Sequence, residues 1–493
     1  MSSILVRKGT IILTLLLILV AATRTFVSAQ VVNQWAPPRP IPDYEGSRPP
    51  IMIADQNKTV HIFYSYPLEG LIDAIYYRQW SLDQGWTQPV DILMVARTVP
   101  NHLQSVFLDQ SGVFHLIFFG DDPDSGNIYY SQALATEAGR AQSWMKPVVI
   151  GPNAGPVVSA EITGDGKGNL IVLYSGQGQG IGLYEVRSAD SGNTWTDPIA
   201  VTLLDQKDNW PYSIRFEWSP QGELQTVWSV VNGDGVGTGV YYARLSSDLL
   251  HWTSPYLLAQ RDPGDYSTSW PAIFVDGEEL IVVYQDGFPA AKFMRVSKDG
   301  GQTWTDAIRP FPHIGEYENP VIVKDSSGVI HMILGNRIGN PATHGMWHSV
   351  WLGDGWSDLD PVKTGPRTNI FDPSAPQAVI SQGNVLLVAW RDDVAEAVPA
   401  EYTYEVLNTP ELPVVPLPAP TATPTSAPLV TQITETSTPT PALPGLMNTQ
   451  NSGINASNIE NPSRPVMIAL IPVILFVAGF IVFRLWYQSN RQP

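Results

Sequence analysis

Two short stretches of this 493-residue chain place a carboxylate where it could bind a metal ion or act in catalysis. They are Ser188–Trp195 and Ser297–Trp304, and both fit the pattern Ser-x-Asp-x-Gly-x-Thr-Trp. At this spacing the Asp carboxylate can accept backbone N–H groups within a tight turn, Gly supplies a positive φ, and Trp packs inward. We therefore expect Asp190 and Asp299 to stabilise hairpin connections. Calcium binding or catalysis by either residue is the less favoured interpretation.

Other groups of reactive side chains lack the spacing of a known site. Four histidines between residues 313 and 348 do not fit a zinc pattern such as His-Glu-x-x-His. The glycine-rich segment 176–180 is not followed by the Gly-Lys-Ser/Thr of a phosphate-binding loop. The acidic loop 121–127 could hold Ca²⁺ but lacks EF-hand spacing, so a solvated loop is favoured. We expect no cofactor and no metal site.

The Asp motifs recur at a fixed place within a longer repeat. Seven tryptophans, here called the tryptophan ladder, lie 51 to 58 residues apart: Trp35, Trp86, Trp144, Trp195, Trp252, Trp304 and Trp356. Self-similarity at such a period indicates a repeat architecture. Each unit contains short β-branched or aromatic runs bounded by Gly, Asp, Asn or Pro, which is typical of strands and turns. Four strands per unit of this length are typical of a β-propeller blade.

The repeat predicts an all-β fold, a β-propeller of four-stranded blades. Seven blades are favoured, and six are the alternative if one unit is an insertion. The seventh unit, about residues 372–407, supplies only three strands. The segment Val31–Pro37, which contains the first ladder tryptophan, would supply the fourth. An N-terminal strand in that place would close the ring and protect the sheet edges.

Both ends of the chain carry membrane-targeting features. Residues 1–29 combine Arg7 and Lys8 with an apolar run and a small-residue cleavage pattern, which predicts a secretory signal peptide, with an uncleaved anchor as the alternative. Residues 466–483 are free of charge and predict a single transmembrane helix. Basic residues in 484–493 predict a cytoplasmic tail. Residues 409–465, rich in Pro, Thr and Ser, predict an extended stalk. The propeller, residues 30–408, is therefore expected outside a cell membrane.

The composition narrows the range of partners. The net charge is −18, which disfavours nucleic acid because its recognition requires a basic surface. Charged residues make up 15% of the chain and aromatic residues 10%, as suits a turn-rich globular protein rather than a disordered one. The chain has no cysteine, so its stability must come from the core alone.

With two Asp motifs in register within a propeller repeat, residues 31–408 resemble the Asp-box propellers of the sialidase superfamily. The resemblance implies a ligand site where the inner strands converge on the axis. In sialidases that site holds an arginine triad for the substrate carboxylate, a Tyr–Glu nucleophile pair and an Asp acid/base. A planar guanidinium group pairs well with a carboxylate, and the tyrosine nucleophile is a known departure from the usual glycosidase scheme.

The resemblance implies substrate-binding roles for four arginines. Arg48 precedes the first inner strand, where the family carries an Arg-x-Pro motif. Arg337 and Arg391 each follow a second strand and would face the same rim. Arg215 lies within the inner strand of the fourth unit.

The resemblance also implies three catalytic candidates. Tyr317 precedes an inner strand and is the nucleophile candidate, with Glu217 or Glu161 as its partner. Asp73 or Glu69 follows the second strand of the first unit and is the acid/base candidate.

Two functions follow from these residues. Because many Asp-box propellers are not sialidases and some only bind ligands, we favour a cell-surface, sialidase-like propeller that binds glycans or proteins at its axial rim, with catalysis left open. The alternative is an exo-α-sialidase that releases terminal sialic acids through a Tyr nucleophile and an arginine triad. The sequence does not determine the oligomeric state.

Overall fold

The computed structural model describes residues 35–418, except 45, 47, 69–71, 97–102, 121–125, 157–158, 207, 313, 315–317, 338–341 and 395–398. The chain divides into two units, Met1–Ala422 and Thr423–Pro493, and all described residues belong to the first. Within them, no helix is long and apolar enough to cross a membrane. The predicted signal peptide, transmembrane helix and cytoplasmic tail lie outside the described residues and stay predictions.

Seven antiparallel sheets form the blades of a propeller. Blade 1 contains β2 (Ile51–Ala54), β3 (Val60–Pro67), β4 (Ile72–Ser81), β5 (Gly85–Trp86) and β6 (Val90–Ala96); blade 2 contains β7 (Leu103–Leu108), β8 (Val113–Gly120), β9 (Asn127–Leu134) and β10 (Val148–Gly151); blade 3 contains β11 (Ala160–Gly164), β12 (Leu170–Gly176), β13 (Gly182–Ser188) and β14 (Ile199–Leu203); blade 4 contains β15 (Trp210–Trp218), β16 (Leu224–Val231), β17 (Gly237–Leu245) and β18 (Tyr256–Gln260).

The remaining strands complete the ring. Blade 5 contains β19 (Ser269–Asp276), β20 (Glu279–Asp286) and β21 (Ala291–Ser297); blade 6 contains β22 (Val321–Lys324), β23 (Ile330–Asn336), β24 (Gly345–Val350) and β25 (Asp360–Thr364); blade 7 contains β26 (Pro373–Ser381), β27 (Val385–Asp392), β28 (Glu401–Val406) and β1 (Arg39–Pro40). Two short 3-10 turns, Ala135–Glu137 and Ala141–Ser143, follow the third strand of blade 2.

The prediction of an all-β, seven-bladed propeller is confirmed. Five blades have four strands each. In blade 1 the outer strand is divided into β5 and β6, which both pair with β4. In blade 5 the outer strand is reduced to a single bridge between Met294 and Ile308.

The N-terminal segment closes the ring in blade 7, as predicted, and its described strand lies after the predicted one. β1 pairs with β28 through Arg39 and Pro40. Of the described residues 35–37, Ala36 donates a backbone hydrogen bond to Tyr404 (2.8 Å). Pro37 has no N–H and cannot donate to the ladder, which interrupts the pairing between Ala36 and Arg39. Residues 31–34 lie outside the described range.

The first strand of every blade is innermost, and these strands form a closed ring in which each contacts the next: β2, β7, β11, β15, β19, β22, β26 and again β2. We call the end where the inner strands begin the upper face. It carries the connections between blades and the loops between second and third strands. The lower face carries the turns between first and second strands, and the Asp motifs.

Each ladder tryptophan packs against the preceding blade. Aromatic pairs with ring centroids 4.9–6.1 Å apart join Trp35 to His348, Trp86 to Tyr402, Trp144 to Phe63, Trp195 to Tyr130 and Trp304 to Tyr242. The indole N–H of Trp252 donates to Glu185, and that of Trp356 donates to Met294 Sδ. Such aromatic pairs contribute about 0.5–1.5 kcal/mol each beyond their buried area. The ladder therefore joins blade to blade around the whole ring.

The two Asp motifs are turn structures. Asp190 accepts the backbone N–H (2.8 Å) and the hydroxyl (2.7 Å) of Thr194, and Gly192 adopts a φ of 85°. Asp299 bonds Thr303 in the same way. These hydrogen bonds lower the pKa of Asp190 and lower that of Asp299 to about 2. Both carboxylates are thus used in holding a hairpin.

A second recurring network lies inside the blades and was not predicted. In blade 1, His61 bonds Asp55 (3.2 Å) and the Tyr77 hydroxyl (2.8 Å). Blade 2 repeats this with Asp109, His115 and Tyr130. Blade 6 has Asp325 and His331, but His348 takes the place of the tyrosine, 2.9 Å from His331. Burial lowers the pKa of His348 to about 3, with a further contribution from His331, so the folded protein keeps it neutral.

We predict that His348→Tyr reduces the acid sensitivity of the propeller. The folded pKa of His348 lies below its unfolded value, so the stability linked to it is complete above about pH 6.5 and is lost as the pH falls. The loss reaches at most about 1.4 kcal/mol per pH unit. Urea unfolding at pH 7.5 and pH 5 should show a smaller loss for the variant. His251→Gln, at an exposed position, is the control, and an equal loss in His348→Tyr and the parent would contradict the prediction.

Residues 409–418, the first ten of the predicted stalk, lie against the lower face, and we call them the C-terminal strap. Leu412 donates a backbone hydrogen bond to Gln382 in blade 7 (2.7 Å), and Val415 donates to Gln56 in blade 1 (2.9 Å). Leu417 packs against the core between blades 1 and 2. The strap thus crosses the junction where the ring closes.

Two further contacts fix the strap. Lys58 and Glu411 form an exposed ion pair, and Ser326 of blade 6 donates to the Pro410 carbonyl. Pro418 lies so close to Gly112 in blade 2 that a Cβ added to this glycine would approach Pro418 Cδ to 2.7 Å. Pro418, the last described residue, therefore lies on the lower face.

We expect a propeller that ends after residue 408 to be less stable than one that ends after residue 418. Two backbone hydrogen bonds, at about 1 kcal/mol each, and the packing of Leu417 would be lost. Thermal unfolding should show a midpoint roughly 2–5 °C lower for the shorter chain. Equal midpoints would show that the strap does not stabilise the closure.

Candidate functional site

The upper ends of several inner strands carry backbone strain. A β-bulge interrupts the inner strands of blades 4, 5 and 7. The equivalent residue of each bulge, Ser213, Trp270 and Ala375, has a φ of 54°, 57° and 49°. In blade 6, Glu318 has a φ of 66° one residue before the equivalent position. Left-handed backbone at non-glycine residues costs of order 1–3 kcal/mol and clusters at functional sites. The backbone strain therefore marks the upper ends of the inner strands as a candidate site.

The contacts of Asn319 show that these strand ends meet at the propeller axis. Its side-chain oxygen accepts a hydrogen bond from Ser213 (2.9 Å) and a longer one from Arg215 (3.4 Å), both in blade 4. Its amide nitrogen donates to the Pro271 carbonyl in blade 5. A residue of blade 6 can contact blade 4 only where the inner strands converge. Asn319 and its neighbour Glu318 therefore lie at the centre of the upper face.

Three of the four predicted arginines lie near Glu318. Burial raises the pKa of Glu318, and the positive charges of Arg48, Arg391 and Arg337 partly offset this rise. These arginines come from blades 1, 7 and 6, which meet only at the axis. We call Glu318 and these three arginines, with the residues that pair with them, the axial site.

Two aspartates position the arginines of the axial site. Asp372 is fully buried and accepts Arg337 (2.8 Å), Arg367 (2.6 Å) and His344 (3.1 Å). Asp393 lies 2.8 Å from Arg337 and 3.0 Å from Arg391. The arginines lower the pKa of Asp372 against the effect of burial. Charge-assisted bonds of this kind hold guanidinium groups in a fixed orientation.

Among the described residues of the axial site, guanidinium groups and carboxylates are equal in number, but Arg48 is not paired. The guanidinium groups come from Arg48, Arg337, Arg367 and Arg391, and the carboxylates from Glu318, Asp372, Asp393 and Asp392, which accepts the backbone N–H of Asp372 (2.7 Å). Arg48 is exposed. Within the described part of the chain, Arg48 has no carboxylate at ion-pair distance. An exposed guanidinium beside two oriented ones can receive one further anion.

Arg215, the fourth predicted arginine, reaches the axis through Asn319 (3.4 Å) but is paired with a carboxylate of a neighbouring blade. It bonds Glu161 in blade 3 (2.7 Å), and Glu161 also accepts the hydroxyl of Ser105 in blade 2 (2.7 Å). Burial raises the pKa of Glu161, with Arg215 and Ser105 opposing the rise. Arg215 therefore neutralises a carboxylate of the protein itself.

The other predicted catalytic residues do not join the axial arginines in the described structure. Asp73 lies at the start of β4 and is 3% exposed. Glu217 is exposed on the inner strand of blade 4, at a position whose equivalents include Phe107 and Val323. Tyr317 and Glu69 lie outside the described residues, so their roles stay predictions.

The acidic partners of the arginines were missed in the sequence. Glu318 adjoins the nucleophile candidate Tyr317, and Asp393 is two residues from Arg391. Asp372 directly precedes the inner strand of blade 7. Their position beside predicted arginines or at the upper ends of strands was the available signal. No group of three or more potential metal ligands occurs within the described ranges.

The comparisons with known proteins support the fold. No protein-family model and no curated protein matches the chain. Similar solved structures include the BP39L lectin from Burkholderia pseudomallei (12% identity, 76% of this chain and 99% of that chain, TM-score 0.52). They also include a family PL25 ulvan lyase (12% identity, 74% and 95%, TM-score 0.49) and the Trypanosoma rangeli sialidase (11% identity, 75% and 59%, TM-score 0.41). At 12% identity, the likeness to the lectin is a likeness of fold alone.

We predict that Arg215→Met destabilises the propeller more at pH 8 than at pH 5. The variant leaves Glu161 without its cation, and an ionised carboxylate in this partly buried place costs about 1–3 kcal/mol. Because the pKa of Glu161 is raised, its protonation relieves that cost at lower pH. The double variant Arg215→Met/Glu161→Gln should recover most of the loss at pH 8 in urea unfolding. No recovery would show that Arg215 acts through other contacts.

Proposed function

We propose that the axial site binds the carboxylate group of an acidic glycan. The observation that carries this proposal is that Arg337 and Arg391 meet at Asp393, while the exposed and unpaired Arg48 acts with them on Glu318. A planar guanidinium pairs with a carboxylate through two parallel hydrogen bonds. The same propeller fold serves as a lectin in the Burkholderia pseudomallei protein. Acidic sugars, either sialic or uronic, are the ligand class of this proposal.

The division of roles among the arginines supports binding. Asp372 and Asp393 orient Arg337 and Arg391, while Arg48 presents an exposed guanidinium. Oriented donors reduce the entropy lost when the ligand binds. Arg48 would therefore contribute most of the direct ion pairing.

The direct test is calorimetric titration of the secreted propeller with the methyl glycosides of N-acetylneuraminic acid and glucuronic acid. Methyl galactoside, which has no carboxylate, is the neutral comparison. We expect binding of at least one acidic glycoside, and Arg48→Ala should weaken it at least tenfold, about 1.4 kcal/mol. Arg39→Ala, at an exposed arginine of β1, is the matched control. Failure of both acidic glycosides to bind would disprove the proposal.

Glu318 makes the binding depend on pH. Its carboxylate competes with the ligand for the arginines, and its pKa is raised, so its protonation removes a negative charge as the pH falls. We expect tighter binding at pH 5.5 than at pH 8. Glu318→Gln should bind roughly three- to tenfold more tightly at pH 8 and should lose most of the pH dependence. Weaker binding by Glu318→Gln would show that the carboxylate contacts the ligand favourably instead.

An exo-α-sialidase is the second candidate, because three arginines near one point are what its substrate carboxylate requires. In this candidate Tyr317 would act as nucleophile and Asp73 as acid/base. Asp73 is almost fully buried, so we expect no turnover of a fluorogenic sialoside by the propeller. Turnover that disappears in both Tyr317→Phe and Arg48→Ala would instead establish the enzyme.

A further inference from the structure

Four aromatic side chains lie on the upper face of blades 4 and 5, beside the axial site. The rings of Tyr212 and Trp270 meet edge to face, 5.3 Å between centroids, and both are partly exposed. Tyr266 is 48% exposed and Phe288 74% exposed. Single exposed apolar residues are common, but several on one rim form a patch that indicates a binding surface. We call these four residues the aromatic rim.

The aromatic rim is continuous with the axial site. Asn319 donates to the carbonyl of Pro271, the residue after Trp270, and Asn319 itself follows Glu318. The backbone of Trp270 is held in the left-handed region, with a φ of 57°. A ligand whose acidic group reaches the arginines would therefore extend directly over this ring.

The loops that carry the outer two aromatic residues are held in place. Tyr266 donates a backbone hydrogen bond to Gly287, next to Phe288 (3.4 Å). Thr268 donates to Asp286 (2.5 Å), which joins the same two loops a second time. Within the first loop, the Arg261 guanidinium donates two hydrogen bonds to the Asp265 carbonyl (2.6 and 2.9 Å). The exposed rings are thus presented by a hydrogen-bonded framework.

We propose that the aromatic rim is a second subsite, which binds the apolar C–H faces of neutral sugars attached to the acidic sugar. This inference rests on the proposed function of the axial site. Tyr and Trp offer large rigid faces at low cost in conformational entropy, with a polar group at the edge for a sugar hydroxyl. The ligand is then an acidic oligosaccharide of about three units, and not a single acidic sugar.

The test compares, in the same secreted propeller, each acidic methyl glycoside with a trisaccharide that carries the same acid at one end, for example 3′-sialyllactose. We expect the trisaccharide to bind about tenfold more tightly. Phe288→Ala and Trp270→Ala should remove most of this gain and leave the affinity for the methyl glycoside unchanged. Leu352→Ala, 67% exposed in the hairpin after β24, is the control for loss of an exposed apolar side chain.

The outcomes separate the two proposals. Equal affinity for both ligands, or equal losses on both ligands in Phe288→Ala and Trp270→Ala, would overturn the aromatic subsite and leave the carboxylate site in place. Binding of neither ligand would overturn both. If the trisaccharide still binds more tightly after both substitutions, the neutral sugars bind elsewhere on the upper face, and this would also overturn the subsite.

Discussion

The contact between each ladder tryptophan and the preceding blade is the interaction on which the rest of the structure depends. A single blade cannot bury both of its faces, so each is stable only when a neighbour covers it. The ladder repeats the same aromatic contact around the ring, and Trp35 brings the N-terminal segment against His348 of blade 6. Without the N-terminal segment, β28 would be left as the open outer edge of blade 7.

Closure of the ring creates the axial site. Arg48, Glu318 and Arg391 are far apart in the sequence, yet each lies at the upper end of a strand, and the ring brings those ends together. The cost of placing like charges side by side is offset by Asp372 and Asp393, which lie among the arginines. The strap crosses the same closure on the lower face, on the side opposite the arginines.

The fold could be predicted from the sequence because its signals are local and repeated. Strand patterns, turn residues and the ladder recur in every unit, and one misjudged unit does not change the architecture. The position of β1 could not be predicted as well, since the contact at Ala36 and the effect of Pro37 depend on how the segment meets β28. The Asp–His–Tyr networks were missed because their bonded partners lie in a turn and on two different strands, six to seventeen residues apart in the sequence.

The site was predictable only in part, for a physical reason. Arginines at strand ends are visible in a sequence, but the ion pairs that decide their roles are not. Arg215 and Arg48 looked equivalent, yet Arg215 is neutralised by Glu161 and Arg48 is exposed at the axial site. Glu318 adjoined a candidate and was still missed, because its importance comes from arginines on blades 1, 6 and 7.

The most direct test of the central claim is a crystal structure of the propeller with a bound acidic monosaccharide. We expect the sugar carboxylate to lie within hydrogen-bonding distance of the Arg48 guanidinium. Arg337 and Arg391 should remain paired with Asp372 and Asp393. A carboxylate bound on the lower face, or an axial site in which the sugar contacts none of the three arginines, would contradict it.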